Sequence, residues 1–172
     1  VCELTGMTID DVYNIPMDDK AVFAEFAKMD MIGIFQFDGY AIKNVLSQLK
    51  IENLSDIAAI NALGRPGTLQ SDATRRYISI KNKSMPLAPI PEIKKYTLDT
   101  AGEIIYQEQV MSICKELGDF SWEQTTKLRK VMGKTQGTAG FEEYKATFFK
   151  GTRSRGINDV VVAQVCTCCT TW

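Results

Sequence analysis

Residues 121–134 read SWEQTTKLRKVMGK and predict an amphipathic helix. Ser121 and Gln124 have the spacing of a capping box at its start. The side chains with the spacing to face a core are Trp122, Leu128, Val131 and Met132. The opposite side carries Lys127, Lys130 and Lys134, with Arg129 beside them. Four cations on about three turns repel one another unless an anion lies nearby, so the stretch predicts either a phosphate-binding face or a solvated basic surface.

The same periodicity extends over most of the chain and predicts a mainly α fold. Helices are expected at 18–29 (capped by Asp18), 42–49, 53–64, 70–82, 104–117 and 141–148, with another beginning at 159. The exception is MIGIFQF at 31–37, which is rich in β-branched and aromatic residues and too short for a stable helix. It predicts a buried strand. Gly64-Arg65-Pro66-Gly67 predicts a sharp connector, because proline fixes one dihedral angle and glycine permits unusual ones.

The composition excludes several classes of enzyme. The chain has 172 residues, of which 45% are apolar and 24% charged, and it contains no histidine. A chain of about 150 residues can bury about 70% of its unfolded surface, so one compact domain is expected. Without imidazole, Ser-His-Asp and Cys-His catalysis and histidine metal sites are excluded. Phosphoryl or nucleotidyl transfer through carboxylates, metal ions and cations stays open.

Charge is distributed unevenly although the net charge is only −1. Residues 1–38 hold eight acidic and two basic side chains, a balance of −6. Residues 121–156 hold eight basic and three acidic side chains, a balance of +5. This polarity favours contact between an anion, such as a nucleotide or a phosphate backbone, and the C-terminal half. A solvated helix surface explains the same pattern without a ligand.

The cysteines and the apolar runs indicate a cytoplasmic protein. The five cysteines are odd in number, and three of them crowd together at Cys166, Cys168 and Cys169. This favours reduced thiols over a disulfide framework. The C-x-C-C spacing has no second cysteine pair and no histidine to complete a zinc site, so no metal site is expected in the chain. No secretory signal and no run of about 20 apolar residues is present, so no membrane contact is expected.

Several segments resemble the alpha subunit of bacterial DNA polymerase III, the C-family replicative polymerases of bacteria and phages. They are GIFQFDG at 33–39, ALGRPGTL at 62–69, YISIKN at 77–82, GEIIYQEQVMSI at 102–113, TKLRKVMGK at 126–134 and FFKGTRSRGI at 148–157. They occur in the order and spacing of that family and cover the chain to about residue 165. The YQEQVM and LRKVMGK signatures are the most specific.

The resemblance implies a helical fingers subdomain with a short β element from the distal palm. By this reading residues 1–38 are a distal palm segment and residues 39–165 are the fingers. Residues 166–172, CTCCTTW, depart from the family and are expected to be an aberrant tail from a frameshift or a truncated or chimeric gene end. The family's catalytic Mg²⁺ ions are held by palm aspartates outside this chain, so no catalytic residue is expected here and the isolated chain should not polymerise.

The resemblance also implies the site residues and partners. Arg129 and Lys130 match paired basic residues that contact the phosphates of the incoming dNTP, with Lys127 and Lys134 as secondary contacts. Arg65 is expected near the active-site cleft. Gln107 and Gln109, in the YQEQVM helix, are candidates to line the same cleft or contact the template. The implied partners are primer-template DNA, dNTP, the rest of the polymerase subunit and replisome proteins such as a sliding clamp.

A different class of function stays open from the residues alone. The chain can also be a free-standing helical module that binds nucleotide or nucleic acid without catalysis. An upstream reading frame with closely spaced palm aspartates would favour the polymerase, and a start codon directly before Val1 would favour the module.

Overall fold

The computed structural model describes residues 2–65, 68–69, 71–132 and 139–170, and these ranges are mainly helical. The helices are α1 (Cys2–Thr5), α2 (Ile9–Tyr13), α3 (Lys20–Ala27), α4 (Tyr40–Leu46), α5 (Leu54–Leu63), α6 (Asp72–Lys81), α7 (Lys94–Thr97), α8 (Gln107–Glu116), α9 (Trp122–Met132), α10 (Ala139–Ser154) and α11 (Asp159–Thr170). Two short 3₁₀ helices, Pro91–Ile93 and Leu98–Thr100, flank α7. None of the described helices is long and apolar enough to cross a membrane.

The strand expected at 31–37 is wrong, since these residues form consecutive turns and the described ranges contain no strand. The amides of Ile34 and Phe37 donate to the carbonyls of Met31 and Ile34, at 3.1 and 3.0 Å. Left-handed backbone at Gly33 and Gln36 reverses the chain between these bonds. Met31 and Phe37 are buried. Local turn bonds satisfy the backbone without a partner strand, so β propensity is overridden by burial of two anchor side chains.

Side-chain caps set several helix starts. Asn53 caps α5 by accepting from the amide of Asp56, and Ser71 caps α6 by accepting from Thr74. The cap of α3 is Asp19, one residue after the predicted Asp18. Helix α8 begins at Gln107 and not at residue 104, because Gln109 Oε1 accepts from the amides of Ile105 and Tyr106 and so satisfies that backbone outside a helix.

The N-terminal half of the chain packs around one apolar cluster, here called the first core. Its buried members are Phe23, Phe26, Met31, Phe37, Ile42, Val45, Leu46, Leu49, Ile51, Ala59, Ile60, Leu63, Tyr77 and Ile105. They come from α3, the turns at 31–37, α4, the 47–53 connection, α5, α6 and the segment that precedes α8. A Cβ on Gly64 would lie 3.0 Å from the Cα of Ile42, so the end of α5 lies directly on α4. Arg65 therefore follows a firmly packed helix end.

The C-terminal half packs around a second apolar cluster, here called the second core. Its buried members are Ile93, Ile104, Val110, Ile113, Cys114, Phe120, Leu128, Phe148, Val162, Val165 and Cys169. Helix α8 packs against α9, α9 against α10, and α10 against α11. Because α11 runs to Thr170 and Cys169 lies in this core, part of the segment expected to be an aberrant tail contributes to the packing.

The two cores meet at two consecutive residues. Ile104 belongs to the second core and Ile105 to the first. Beside them, Arg76 of α6 makes a bidentate ion pair with Glu103, with Nε–Oε1 and Nη2–Oε2 distances of 2.8 and 2.7 Å. The Arg76 guanidinium is only half-exposed, and Glu103 is buried. This ion pair fixes α6 to the start of the segment that leads into α8.

Candidate functional site

Helix α9 is held in place by one buried stripe. Leu128 and Thr125 are each 1% exposed, and the Thr125 hydroxyl donates to the carbonyl of Ser121 at 2.9 Å. The predicted capping box is confirmed, because the Ser121 amide donates to Gln124 Oε1 and the Gln124 amide to Ser121 Oγ, at 2.9 and 3.2 Å. The helix therefore has a fixed start and a fixed inner face.

Two glycines bring α10 against the loop that precedes α9. A Cβ on Gly151 would clash with the backbone of Gly118, including its carbonyl oxygen. A Cβ on Gly118 would lie 2.7 Å from the carbonyl oxygen of Cys114 and would also clash with the ring of Phe148. Both positions require glycine, because the two backbones are in direct contact and leave no room for a Cβ atom. This contact sets where the start of α9 lies.

Trp122 was expected to face the core, and this expectation is wrong. The side chain is 67% exposed, and Lys115 Nζ lies 3.5 Å from the centre of its ring. The aromatic ring that enters the second core at this point is that of Phe120, two residues before Trp122. Lys115, in the last turn of α8, is a further cation next to α9 that the sequence did not single out.

The predicted phosphate contacts on α9 differ in their surroundings. Lys127 Nζ lies 2.8 Å from Glu123 Oε1, and this hydrogen bond raises the pKa of Lys127 and lowers that of Glu123. Arg129 and Lys130 are exposed in the last turn, and no carboxylate within the described ranges makes an ion pair with either. Lys134 lies outside the described residues. Two adjacent cations thus remain available to an anion.

Arg65 lies in the loop after α5, at the edge of the first core. Its carbonyl accepts from the amides of Thr68 and Leu69, at 3.1 and 2.8 Å, and the Thr68 hydroxyl donates to the carbonyl of Leu63 at 3.0 Å. The Arg65 side chain is exposed, and none of the described carboxylates pairs with it. A tight turn therefore fixes the backbone of Arg65 and leaves its guanidinium free.

The two glutamines of α8 have different surroundings. Gln109 is buried, and its Nε2 donates to the carbonyl of Tyr96 and to Thr100 Oγ1, both at 2.7 Å. With its Oε1 accepting two amides, its polar atoms are all used inside the chain. Gln107 is half-buried at the first position of α8. Of the two, only Gln107 has a side chain partly open to solvent.

The predicted site residues fall into two groups. Gln107, Lys127, Arg129 and Lys130 lie on the packed pair α8 and α9, with Leu128 in the second core. Arg65 lies at the edge of the first core, and no hydrogen bond or ion pair in the described ranges joins its side chain to α9. The Arg76–Glu103 ion pair joins α6, which packs in the first core, to the segment that leads into α8, which packs in the second core. Sequence reasoning missed that connection, because 27 residues separate the partners.

The thiols of the C-terminal half line an apolar cavity of about 440 Å³ behind α9. Cys114, Cys166 and Cys169 contribute to its wall together with Phe120 and Leu128. Burial raises the pKa of Cys114 to about 12 and that of Cys166 to about 11, so both are neutral thiols at pH 7. Within the described ranges no group of three or more Cys, Asp or Glu side chains is arranged to hold a metal ion.

Comparisons with known proteins agree with this architecture. A family model described as the finger domain of the bacterial DNA polymerase III alpha subunit matches residues 2–156. The DNA polymerase III subunit alpha of Staphylococcus aureus (strain MRSA252) is 33% identical over 161 residues, which cover 93% of this chain and 15% of that protein. The subunit of Staphylococcus epidermidis is 33% identical over 156 residues, covering 90% of this chain and 14% of the relative.

A relative from Mycobacterium is similar over nearly the same number of residues. The subunit of Mycobacterium tuberculosis (strain H37Rv) is 31% identical over 157 residues, which cover 88% of this chain and 13% of that protein. The chain thus spans 13–15% of the length of these three relatives. Because the family model matches nearly all of its helices, the chain belongs to the finger-domain family of bacterial DNA polymerase III alpha subunits.

Proposed function

We propose that this chain acts within a replicative DNA polymerase subunit and that the last turn of α9 binds the phosphates of the incoming dNTP. The observation that carries the proposal is the pair Arg129 and Lys130, adjacent, exposed and without an ion-pair partner among the described residues. Arg offers a planar fork for phosphate oxygens and Lys a point charge. Lys127 has a weaker claim, because Glu123 already neutralises it.

The packing of α8 and α9 supports a shared surface for Gln107 and the cation pair. Residues 117–121 connect the two helices, which pack against each other. A connection of this length is typical of an αα-hairpin, in which the end of the second helix lies beside the start of the first. In this geometry Gln107 and the Arg129–Lys130 pair are at the same end of the hairpin. Gln107 is then a candidate for contact with the nucleotide or the template.

We assign Arg65 and Lys134 to the same function on weaker grounds. Arg65 presents an uncompensated cation from a loop fixed by three hydrogen bonds, which suits a backbone phosphate of primer-template DNA. Lys134 follows α9 in the sequence and would extend its positive charge. The proposal assigns no metal ion to the described residues, which contain no group of three or more carboxylate or thiol side chains placed to bind one. We further propose that residues 1–38 are a distal segment of the palm and that residues 39–165 form the fingers.

The test replaces Arg129 and Lys130 together by Ala in a complete polymerase subunit that carries this finger sequence. Each charge-assisted contact is worth enough that kcat/KM for dNTP is expected to fall at least about a hundredfold. The matched control removes two exposed cations of the N-terminal half, in Lys20→Ala/Lys50→Ala, and should leave the kinetics unchanged. Unchanged KM and kcat for dNTP in the first variant would contradict the proposal.

A second variant separates charge from geometry. Lys130→Arg keeps the cation and adds a second fork, so dNTP use should be retained, whereas Lys130→Gln removes the charge at similar length and should weaken it. If Lys130→Gln behaves like Lys130→Arg, the residue serves the helix end or solubility and not the phosphates. Basic side chains near a helix C-terminus interact favourably with its dipole in any case, which makes this comparison necessary.

A further inference from the structure

The first described residues of the chain, 2–17, are rich in apolar side chains, and none of them is buried. This segment, here called the N-terminal arm, contains α1 and α2, and neither helix has a buried residue. Its large exposed hydrophobic side chains are Leu4, Met7, Ile9, Val12, Tyr13, Ile15 and Met17. Only ten further side chains of this kind are exposed in the rest of the described chain. Contiguous exposed apolar surface of this sort marks an interaction site.

Helix α2 presents its apolar residues as a stripe. Ile9, Val12 and Tyr13 occupy positions i, i+3 and i+4, the spacing of anchors on one helix face. They are 65%, 42% and 80% exposed. Asp10 and Asp11 fall between them and therefore on the other side of the helix. This is the pattern of a short helix that lays one face in an apolar groove.

The arm is helical although its own length cannot stabilise helices. α1 has four residues and α2 has five, whereas isolated helices shorter than about 12–15 residues are marginal in water. The capping box of Thr8 and Asp11 gives α2 a defined start, with the Thr8 amide donating to Asp11 Oδ2 at 2.8 Å. The capping box is the main local stabilisation of α2, because the helix buries no side chain. We infer that further stabilisation comes from contact with a surface beyond the described residues.

Charge indicates the chemistry of that surface. The arm carries Glu3, Asp10 and Asp11 and no lysine or arginine. Through residue 38 the acidic excess grows to −6, and Glu25 alone of these carboxylates forms an ion pair within the described ranges. A phosphate backbone would be repelled by this surface, whereas an apolar protein groove edged with Lys and Arg would be attracted.

We propose that the N-terminal arm docks, through Ile9, Val12 and Tyr13, into a basic-edged apolar groove on the part of the polymerase subunit that lies outside this chain. The relatives have more than four-fifths of their length outside the matched region, since this chain spans 13–15% of them. The proposal rests on membership of the family and not on the nucleotide contacts of Arg129 and Lys130. Failure of either proposal therefore leaves the other intact.

The experiment compares Ile9→Ala/Val12→Ala/Tyr13→Ala in two settings, the chain alone and a complete polymerase subunit that carries it. In the complete subunit, amides of α2 should exchange hydrogen at least about tenfold faster than in the unsubstituted subunit, because the anchors leave their groove. In the chain alone, the Tm should not change, since these side chains bury nothing. The matched control, Leu54→Ala/Leu98→Ala/Val160→Ala, should leave exchange in α2 unchanged in both settings.

Two further measurements keep the proposal falsifiable. Asp10→Asn keeps the helix and removes one charge, so exchange in α2 of the complete subunit should become faster and less sensitive to salt. Equal exchange rates in the triple variant and the unsubstituted subunit would overturn the proposal. So would concentration-dependent self-association of the unsubstituted chain in sedimentation that the triple variant abolishes, because the groove would then belong to a second copy.

Discussion

Helix α9 and helix α2 both begin with a capping box and both carry apolar residues at helical spacing, yet α9 buries Thr125 and Leu128 whereas α2 buries nothing. The first helix is stabilised by the second core and presents an uncompensated positive surface. The second is an acidic helix without a partner inside the described chain. Equivalent local signals therefore lead to a packed helix in one case and to an exposed helix in the other, and tertiary packing makes the difference.

The largest effect is expected where the second core depends on contact between two backbones. Gly151→Ala places a methyl group against the backbone of Gly118, which cannot move without shifting α10 or the start of α9. Overpacking that the structure cannot relieve should cost at least about 3 kcal/mol of the free energy of unfolding. Chemical denaturation measures it. Gly39→Ala is the control, because a Cβ there meets nothing within 4 Å, and an equal loss in both variants would contradict the explanation.

Removing a buried anchor should distinguish α9 from α2 directly. Leu128→Ala empties part of the second core and should cost about 2–5 kcal/mol of the free energy of unfolding. Ile9→Ala in the same chain should change it by less than about 0.5 kcal/mol, because the side chain is exposed. Urea midpoints of the two variants test the contrast. A large loss in the Ile9 variant would mean that the arm is packed within the chain.

The ion pair between the two cores gives a smaller effect. Arg76→Ala leaves the buried carboxylate of Glu103 without its partner. Because Arg76 is itself half-exposed and screened by solvent, we expect a loss of about 1–2 kcal/mol in the free energy of unfolding. Arg75→Ala is the matched control, since its ion pair with Asp72 is exposed on the same helix. Equal effects in the two variants would show that Glu103 finds other partners.

At neutral pH the smallest effect is expected from the buried thiols, because they lose their protons only in alkaline solution. Burial raises the pKa of Cys114 to about 12 and that of Cys166 to about 11, above the ordinary value of 9.0. The unfolded chain therefore loses these protons first as pH rises, so stability is fully present below pH 9.0 and declines from there toward about pH 11. Thermal melts from pH 8 upward measure the slope. Cys166→Ala should reduce this slope, and Cys114 should account for the part that remains.

The sequence predicted most helices because their signals are local. The capping box at Ser121 and the approximate bounds of α5 and α6 follow from residues a few positions apart. The predictions failed where distant contacts decide. The 31–37 segment has β propensity, but Met31 and Phe37 are drawn into the first core by turns. Trp122 has helical spacing for burial, yet the aromatic ring that enters the second core here is that of Phe120, two residues earlier.

The candidate site was predictable in part for the same reason. The basic row on α9 is visible in the sequence, and the structure adds that Glu123 pairs with Lys127, which leaves Arg129 and Lys130 exposed. Gln109 was nominated because it belongs to a family signature. Its amide instead joins the backbone around residues 96–106, a role that no single-sequence pattern indicates because its partners lie in irregular segments.

The helical class and the positive charge of α9 could be predicted from the sequence, because capping and periodicity depend on residues a few positions apart. The resemblance to the finger domain could be predicted as well, because the family motifs occur in order along the chain. Tertiary structure alone decided that Gly118 and Gly151 meet, that Arg76 pairs with Glu103 and that α2 remains unburied. Each of those features depends on whether residues distant in sequence are in contact in the folded chain. The burial of apolar surface decides those contacts, and local propensity carries no information about it.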